Sequence, residues 1–392
     1  MPHDHEWTPL RDDEGSASSL LDEGMTRGEL LGRSARLGLG ALAATSLSGL
    51  IELGAPALAG AATRANKLQK IATIEQQFGT FFTENFNKPL DAFMKTTAAS
   101  GWSDTFGNEN NTVTTGINLL NQYAAANYGV LILSTGDQMS AWEHAVGQVV
   151  KNGNIFINHS TQGVTGATQN VLFSHKQSGI DVGNASIKWA TKNNITSPVV
   201  ALIGNLSDAQ GRKRTDAAWA TIKAKYPNAK LAGQVQGIGT PDGGKAAANL
   251  LSAHPDINML ITFNTLAGQA ALTSATHAGK TDRNKFLLAT TDTEVATLKL
   301  IADNNSIYQI NWGAFFPASM ILMAKDAMAN FAGKKIKPTR LLFGLAIDDP
   351  PKAKSFNTIA FSPLDPKYSY VYAKYFKYLD TPVKTAQVPP GQ

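Results

Sequence analysis

Polar side chains recur directly after short apolar runs in this chain. Glu75, Gln76 and Gln77, then Phe81 and Phe82, follow the run 70–74. Ser134, Thr135, Gly136 and Asp137 follow 129–133, and Asn158 with His159 follows 155–157. A polar loop leading to Arg212 and Arg214 follows 198–203. Asn264 follows 258–263, Asp292 follows 286–290, and Asn311 follows 307–310. Asn, Asp, His and Arg at such positions can form paired hydrogen bonds to neighbouring hydroxyls, while rings cover C–H faces. That is the chemistry of holding a sugar or polyol. A charged hydrogen bond contributes about 1.5–3 kcal/mol net, so a handful of converging groups reaches micromolar binding. Taken singly, an Asn or Asp after a strand serves equally well as the N-cap of the next helix. The repetition is what points to a site.

These groups need a frame. Apolar runs at 70–74, 129–133, 155–157, 198–203, 231–235, 258–263, 286–290 and 307–310 alternate with amphipathic stretches at 81–97, 138–150, 182–191, 209–226, 245–253, 267–277, 294–303 and 315–331. Continuous apolar strands separated by helical stretches predict parallel sheets covered by helices on both faces. The units are too many for one mononucleotide-type sheet. The expected fold is therefore α/β, with two Rossmann-like lobes. Ligands of open parallel sheets bind beyond the carboxyl ends of the strands, where the polar residues lie. The segment 348–352 reads as a loop. Tyr368, Tyr370, Tyr372, Tyr375 and Tyr378 mark a short amphipathic helix packed as a clasp, and 388–392 reads as a frayed end.

Composition narrows the function. The 392 residues are 43% hydrophobic and 17% charged, which excludes disorder along the whole chain. There is no cysteine, hence no disulfide, thiolate metal site, cysteine nucleophile or lipid-modified N-terminal cysteine. The net charge of +5 is spread without a basic run, which argues against a nucleic-acid footprint. Residues 1–59 read as an export segment: Arg27, Arg33 and Arg36 precede a weakly apolar stretch that closes on Ala57-Leu58-Ala59. Thr26-Arg27-Gly28-Glu29-Leu30 resembles a twin-arginine signal lacking its second arginine, so the twin-arginine and general secretory routes both stay open. Gly239–246 nearly spells a phosphate loop, but Ala246 stands where Ser or Thr must hold magnesium. Glu143-His144 lacks the second histidine of a zinc helix, and no Gly-x-Ser-x-Gly occurs. Neither an enzyme, a cofactor nor a metal is expected.

Residues 68–336 resemble the type I periplasmic sugar-binding proteins, the ribose-binding-like branch that feeds ABC importers. Lys70-Ile71-Ala72 followed by Phe81-Phe82 resembles the family's opening strand and stacking pair. Ser252-Ala253-His254-Pro255-Asp256-Ile257, then Phe263-Asn264, Thr291-Asp292-Thr293 and Asn311, is similar to its second-lobe series. Asn158-His159 stands where the family usually has Asp-Arg.

The resemblance implies a ligand site of Phe81, Phe82, Asn158, His159, Arg212, Asn264, Asp292 and Asn311, with Arg214 the alternative to Arg212. It implies a first lobe of 68–174 plus 312–336 and a second of 175–311 plus 337–345, joined by three crossovers, with 346–392 as a C-terminal extension. It further implies a monomer outside the cytoplasm, in the periplasm or its equivalent, closing on a sugar or polyol and docking on an ABC permease. A receptor presenting its ligand to a membrane sensor, or a regulator-type ligand-binding core, are the alternatives.

Overall fold

The computed structural model describes residues 67–381 apart from 78, 135–137 and 208. The export segment at 1–59, the loop 135–137 and the end at 388–392 lie outside the described residues. The strands are β1 (Leu68–Glu75), β2 (Ser103–Asn108), β3 (Tyr128–Ser134), β4 (Ile155–Ser160), β5 (Gln169–Leu172), β6 (Val199–Gly204), β7 (Lys230–Gln236), β8 (Met259–Thr262), β9 (Leu287–Thr291), β10 (Tyr308–Ala314), β11 (Thr339–Leu342), β12 (Gly344–Ile347) and β13 (Phe376–Leu379). Helix α1 begins at Thr80–Phe82, widens to a π-helix over Thr83–Asn87 and returns to α over Lys88–Met94. It is followed by α2 (Val113–Ala125), α3 (Met139–Lys151), α4 (His175–Lys192), α5 (Ala209–Lys225), α6 (Thr240–Ala253), α7 (Thr265–His277), α8 (Val295–Asp303), α9 (Phe316–Phe331), α10 (Pro350–Ala360) and α11 (Ser369–Tyr375).

The strands form two sheets. The first has the order β13-β11-β5-β4-β3-β1-β2 and the second β12-β10-β9-β8-β6-β7. Neighbours run parallel, except that β13 and β12 close their edges antiparallel. The central strands are buried along nearly their whole length, as in β3, because helices cover both faces. Two lobes with mostly parallel sheets result, the α/β architecture that the alternation of runs predicts.

The chain crosses between lobes four times, three times at a phenylalanine and a last time between α10 on the second lobe and β13 on the first. Phe173 and Ser174 lead from β5 into α4, which packs on β9, β10 and β12 of the second sheet. Phe315 leads from β10 back to α9, which packs on β3 and β4 of the first. Phe343 alone separates β11 in the first sheet from β12 in the second. Gly344 follows it because a Cβ there would lie 2.1 Å from the Trp312 ring.

The structure moves three boundaries. Thr339–Leu342, expected in the second lobe, pairs with β5 in the first sheet, and Trp312–314, expected in the first lobe, continues β10 in the second. The C-terminal extension is not separate. Its helix α10 packs on α8, its Phe376–Leu379 strand closes the edge of the first sheet, and Tyr372 and Tyr375 press on Phe315 at 5.5 and 4.8 Å. The expected loop at 348–352 is the start of α10, since the Asp349 side chain accepts from Lys352 N–H and Pro350 opens the helix.

One buried acid gives the fold a pH dependence. Glu75 ends β1 fully buried, its hydrogen-bond partner the Asn87 amide, and burial raises its carboxyl from 4.5 to about 8. Between those values the native state keeps a proton that the unfolded chain releases, so this group's contribution to stability falls as pH rises. Glu75→Gln is expected to flatten the wild-type decline in denaturant midpoint between pH 5 and 8. An unchanged slope rejects the assignment.

Candidate functional site

An open cleft lies where the strand tips of the two lobes face each other. From the first lobe it is lined by Gln76 and Gln77 after β1, Ser134 ending β3, His159 on β4, and rings of Phe81, Phe82, Phe86, Phe173 and Phe316. From the second come His175, Asn205, Arg214, Phe263, Asn264, Thr265, Leu266 and Asp292.

Arg214 organises the second-lobe wall. Its side chain is 5% exposed. Nη1 donates to Asp292 Oδ2 at 2.9 Å, to Thr291 Oγ1 at 2.6 Å and to the Phe263 carbonyl at 3.0 Å. Nε donates to His175 Nδ1 at 2.6 Å, and the guanidinium lies 4.5 Å from the centre of the Phe263 ring. Because Nε–H can only donate, His175 Nδ1 must be bare and the imidazole proton sits on Nε2. Burial holds His175 well below the usual histidine range, and the neighbouring Arg214 charge lowers it further. Burial raises the Asp292 carboxyl, and Arg214 draws it back down. Asp292 itself is held at φ +68°, a left-handed conformation uncommon outside glycine, with Oδ1 unpartnered.

Packing sets the position of this arginine. Helices α4 and α5 approach so closely that a Cβ at Gly179 would fall 2.1 Å from the Arg214 carbonyl. Glycine is required there by the approach alone.

The first-lobe wall is mostly rings. Phe81, Phe86, Phe173 and His159 all surround Phe316 with ring centres 5.3–5.8 Å apart. The π-helical turn brings Phe86 beside Phe81 and Phe82, since its wider turn shifts the helix face. His159 is buried neutral: burial first, then the Arg340 charge, lowers it to about 3, and its Nε2 has no partner. At one edge the lobes touch directly. Asn85 Nδ2 donates to the Thr293 carbonyl at 3.1 Å, and the Glu84 carboxylate accepts from Val295 N–H at 2.9 Å.

Of the sequence-derived residues, Phe81, Phe82, His159, Asn264 and Asp292 line this cavity. Asn264 also caps α7, its Oδ1 accepting from Ala267 N–H at 2.9 Å while Nδ2 holds the Ile238 carbonyl. Capping and lining coexist in one side chain. Three expected residues are elsewhere. Asn158 faces away from the cavity and donates to Asn170 and the Gln162 carbonyl, because neighbours on a strand point to opposite faces. Asn311 is buried beneath the site between Thr290 and Thr297. Arg212 is 54% exposed and pairs with Asp216. Two residues along a helix turn through about 200°, so only Arg214 can face inward.

Sequence reasoning missed His175, Phe86, Phe173 and Phe316. His175 follows Ser174, which accepts from Gln177 N–H as the α4 cap. Ser174 with Gln177 three residues on was the available signal.

The model of the periplasmic binding protein domain matches residues 77–335. The chain belongs to this periplasmic binding protein family. That membership places it among solute-binding proteins rather than enzymes. Solved structures share the fold. An ABC transporter periplasmic solute binding protein from Actinobacillus succinogenes with bound D-allose is 15% identical, with a TM-score of 0.64 over 73% of this chain and 99% of that one. A Mycobacterium smegmatis protein in complex with β-D-fucofuranose is 16% identical, with a TM-score of 0.64 over 79% and 99%. An ABC transporter solute binding protein from Bacillus halodurans with bound myo-inositol is 16% identical, with a TM-score of 0.62 over 74% and 98%. Against curated proteins, no sequence match reaches significance. Among the described residues of this periplasmic binding protein, no helix is long and apolar enough to cross a membrane, and no cluster of three metal-ligating side chains occurs.

Proposed function

We propose that this chain is the extracytoplasmic solute receptor of an ABC importer and holds a neutral sugar or polyol between its lobes. One observation carries the reading: the buried Arg214–Asp292 pair at the cavity wall, with Asp292 Oδ1 left unpartnered. A carboxylate oxygen can accept from two neighbouring hydroxyls, which is how polyols are held. The similar structures with bound D-allose, β-D-fucofuranose and myo-inositol support it.

The charge arithmetic favours a neutral ligand. Arg214 is matched by Asp292, and both histidines at the wall are neutral. An acidic sugar would meet Asp292 Oδ1 without a spare cation opposite it, at a cost in a desolvated site.

Closure would take place about the joints between the lobes, and a ligand touching both walls shifts the lobes only by its differential affinity for the closed form. Export by residues 1–59 and delivery to a permease complete the reading.

The test is a thermal-shift screen of purified protein against neutral pentoses, hexoses and inositols, each paired with its sugar acid. A bound ligand raises the melting temperature by mass action. A neutral sugar is expected to raise it while its acid does not. Asp292→Asn, which keeps the shape, is expected to weaken the sugar by at least tenfold in calorimetry. No stabilisation by any neutral sugar or polyol at millimolar concentration overturns the reading.

A further inference from the structure

The two walls of the cavity differ in chemistry, and the difference assigns a shape to the ligand. On the second-lobe wall, polar atoms remain available after the internal bonds are counted. Asp292 Oδ1 is unpartnered, Arg214 bonds through Nε and Nη1 alone, and the His175 proton sits on Nε2. The first-lobe wall above β4 and β5 is instead a continuous ring surface of Phe81, Phe86, Phe173 and Phe316 around His159. A single polar atom, His159 Nε2, interrupts it. Asn158, its neighbour on β4, turns to the opposite face, where its Nδ2 donates to Asn170 Oδ1 and the Gln162 carbonyl. The remaining first-lobe polar groups of the cleft, Gln76 and Gln77 after β1 and Ser134 at the end of β3, lie on strands that the sheet order places to the other side of β4 from Phe173.

Such a wall covers the C–H face of a sugar ring but offers almost nothing to a hydroxyl that points into it. Each hydroxyl turned toward the rings loses its water and finds no acceptor, whereas a methyl or methylene there gains by burial. We infer that the ligand is an amphipathic sugar: its hydroxyls gather on the edge facing Arg214 and Asp292, and a deoxygenated or alkylated substituent lies against Phe86, Phe173 and Phe316. This inference rests on the sugar reading above and names the class of sugar within it.

Matched pairs test it by calorimetry on the wild-type protein: 6-deoxygalactose against galactose, 6-deoxymannose against mannose, and 5-deoxyribose and methyl ribofuranoside against ribose. In at least one pair the deoxygenated or alkylated member is expected to bind tenfold or more tightly than its parent. Phe173 is only partly buried, so Phe173→Tyr should fold and offer the wall one hydroxyl. This variant is expected to narrow the gap within that pair, and Phe81→Tyr is a second variant for the same purpose. Parents that bind as tightly as their deoxygenated partners in every pair overturn the inference and leave the sugar reading standing. Failure of every sugar, parent and derivative alike, overturns both.

Discussion

Arg214→Ala is expected to lose sugar binding and to lower stability together, whereas Arg212→Ala changes neither. The alanine variant leaves Asp292 buried with no cation and strips a donor from His175, Thr291 and the Phe263 carbonyl. Removing one partner of a buried pair costs about 3–5 kcal/mol, a large share of the ~5–15 kcal/mol by which domains are stable. Arg214→Lys keeps the charge but not the fork of donors, and it should recover part of the stability with little of the binding. Arg212 pairs with Asp216 at the surface, where such pairs contribute about 0–1 kcal/mol. Melting curves and calorimetry on the three variants decide the matter. Equal effects at 212 and 214 would refute the assignment.

The second large effect lies at the edge of the first sheet. Arg340 on β11 is 0% exposed and pairs with Asp326 of α9, which also accepts from Gln169 Nε2 at 2.9 Å. The guanidinium lies 4.3 Å from the Tyr378 ring of β13. Asp326→Ala strands this cation in the core and is expected to cost about 3–5 kcal/mol, loosening β13 first. Asp326→Leu combined with Arg340→Met replaces the pair by apolar volume and should recover most of the loss. Chemical denaturation of both variants measures it, and an Asp326→Ala midpoint within error of wild type would show that the pair is not holding the edge. The same cation helps keep His159 neutral, so the edge strand and the ligand wall are electrostatically linked.

The central strands were legible because burial on both faces writes them as unbroken apolar runs, as at β3, β6 and β8. The strands β2 and β5 were not, because Ser103–Asn108 is largely polar and Gln169–Leu172 opens on two polar residues. Gln169 is buried with bonds to Asp326 and Lys337, far away in sequence, and Asn170 with bonds to Asn158 and Val164. With β5 unseen, the tip that carries Phe173 and His175 was unseen too. Asn264 was legible because it directly follows an apolar run, and Asp292 because only Thr291 separates it from one. The errors at Asn158, Arg212 and Asn311 share one cause: nearness in sequence says which tip a residue occupies, and only the phase of the strand or helix says which way it points.

The contact between Glu84 and the Val295 amide has a practical corollary. The chain contains no sulfhydryl of its own, and Val295 is 38% exposed at the rim where the halves meet. Val295→Cys would therefore accept a single environment-sensitive dye at that seam. Its colour would turn the protein into an optical gauge, reporting in real time which molecules draw the rim together.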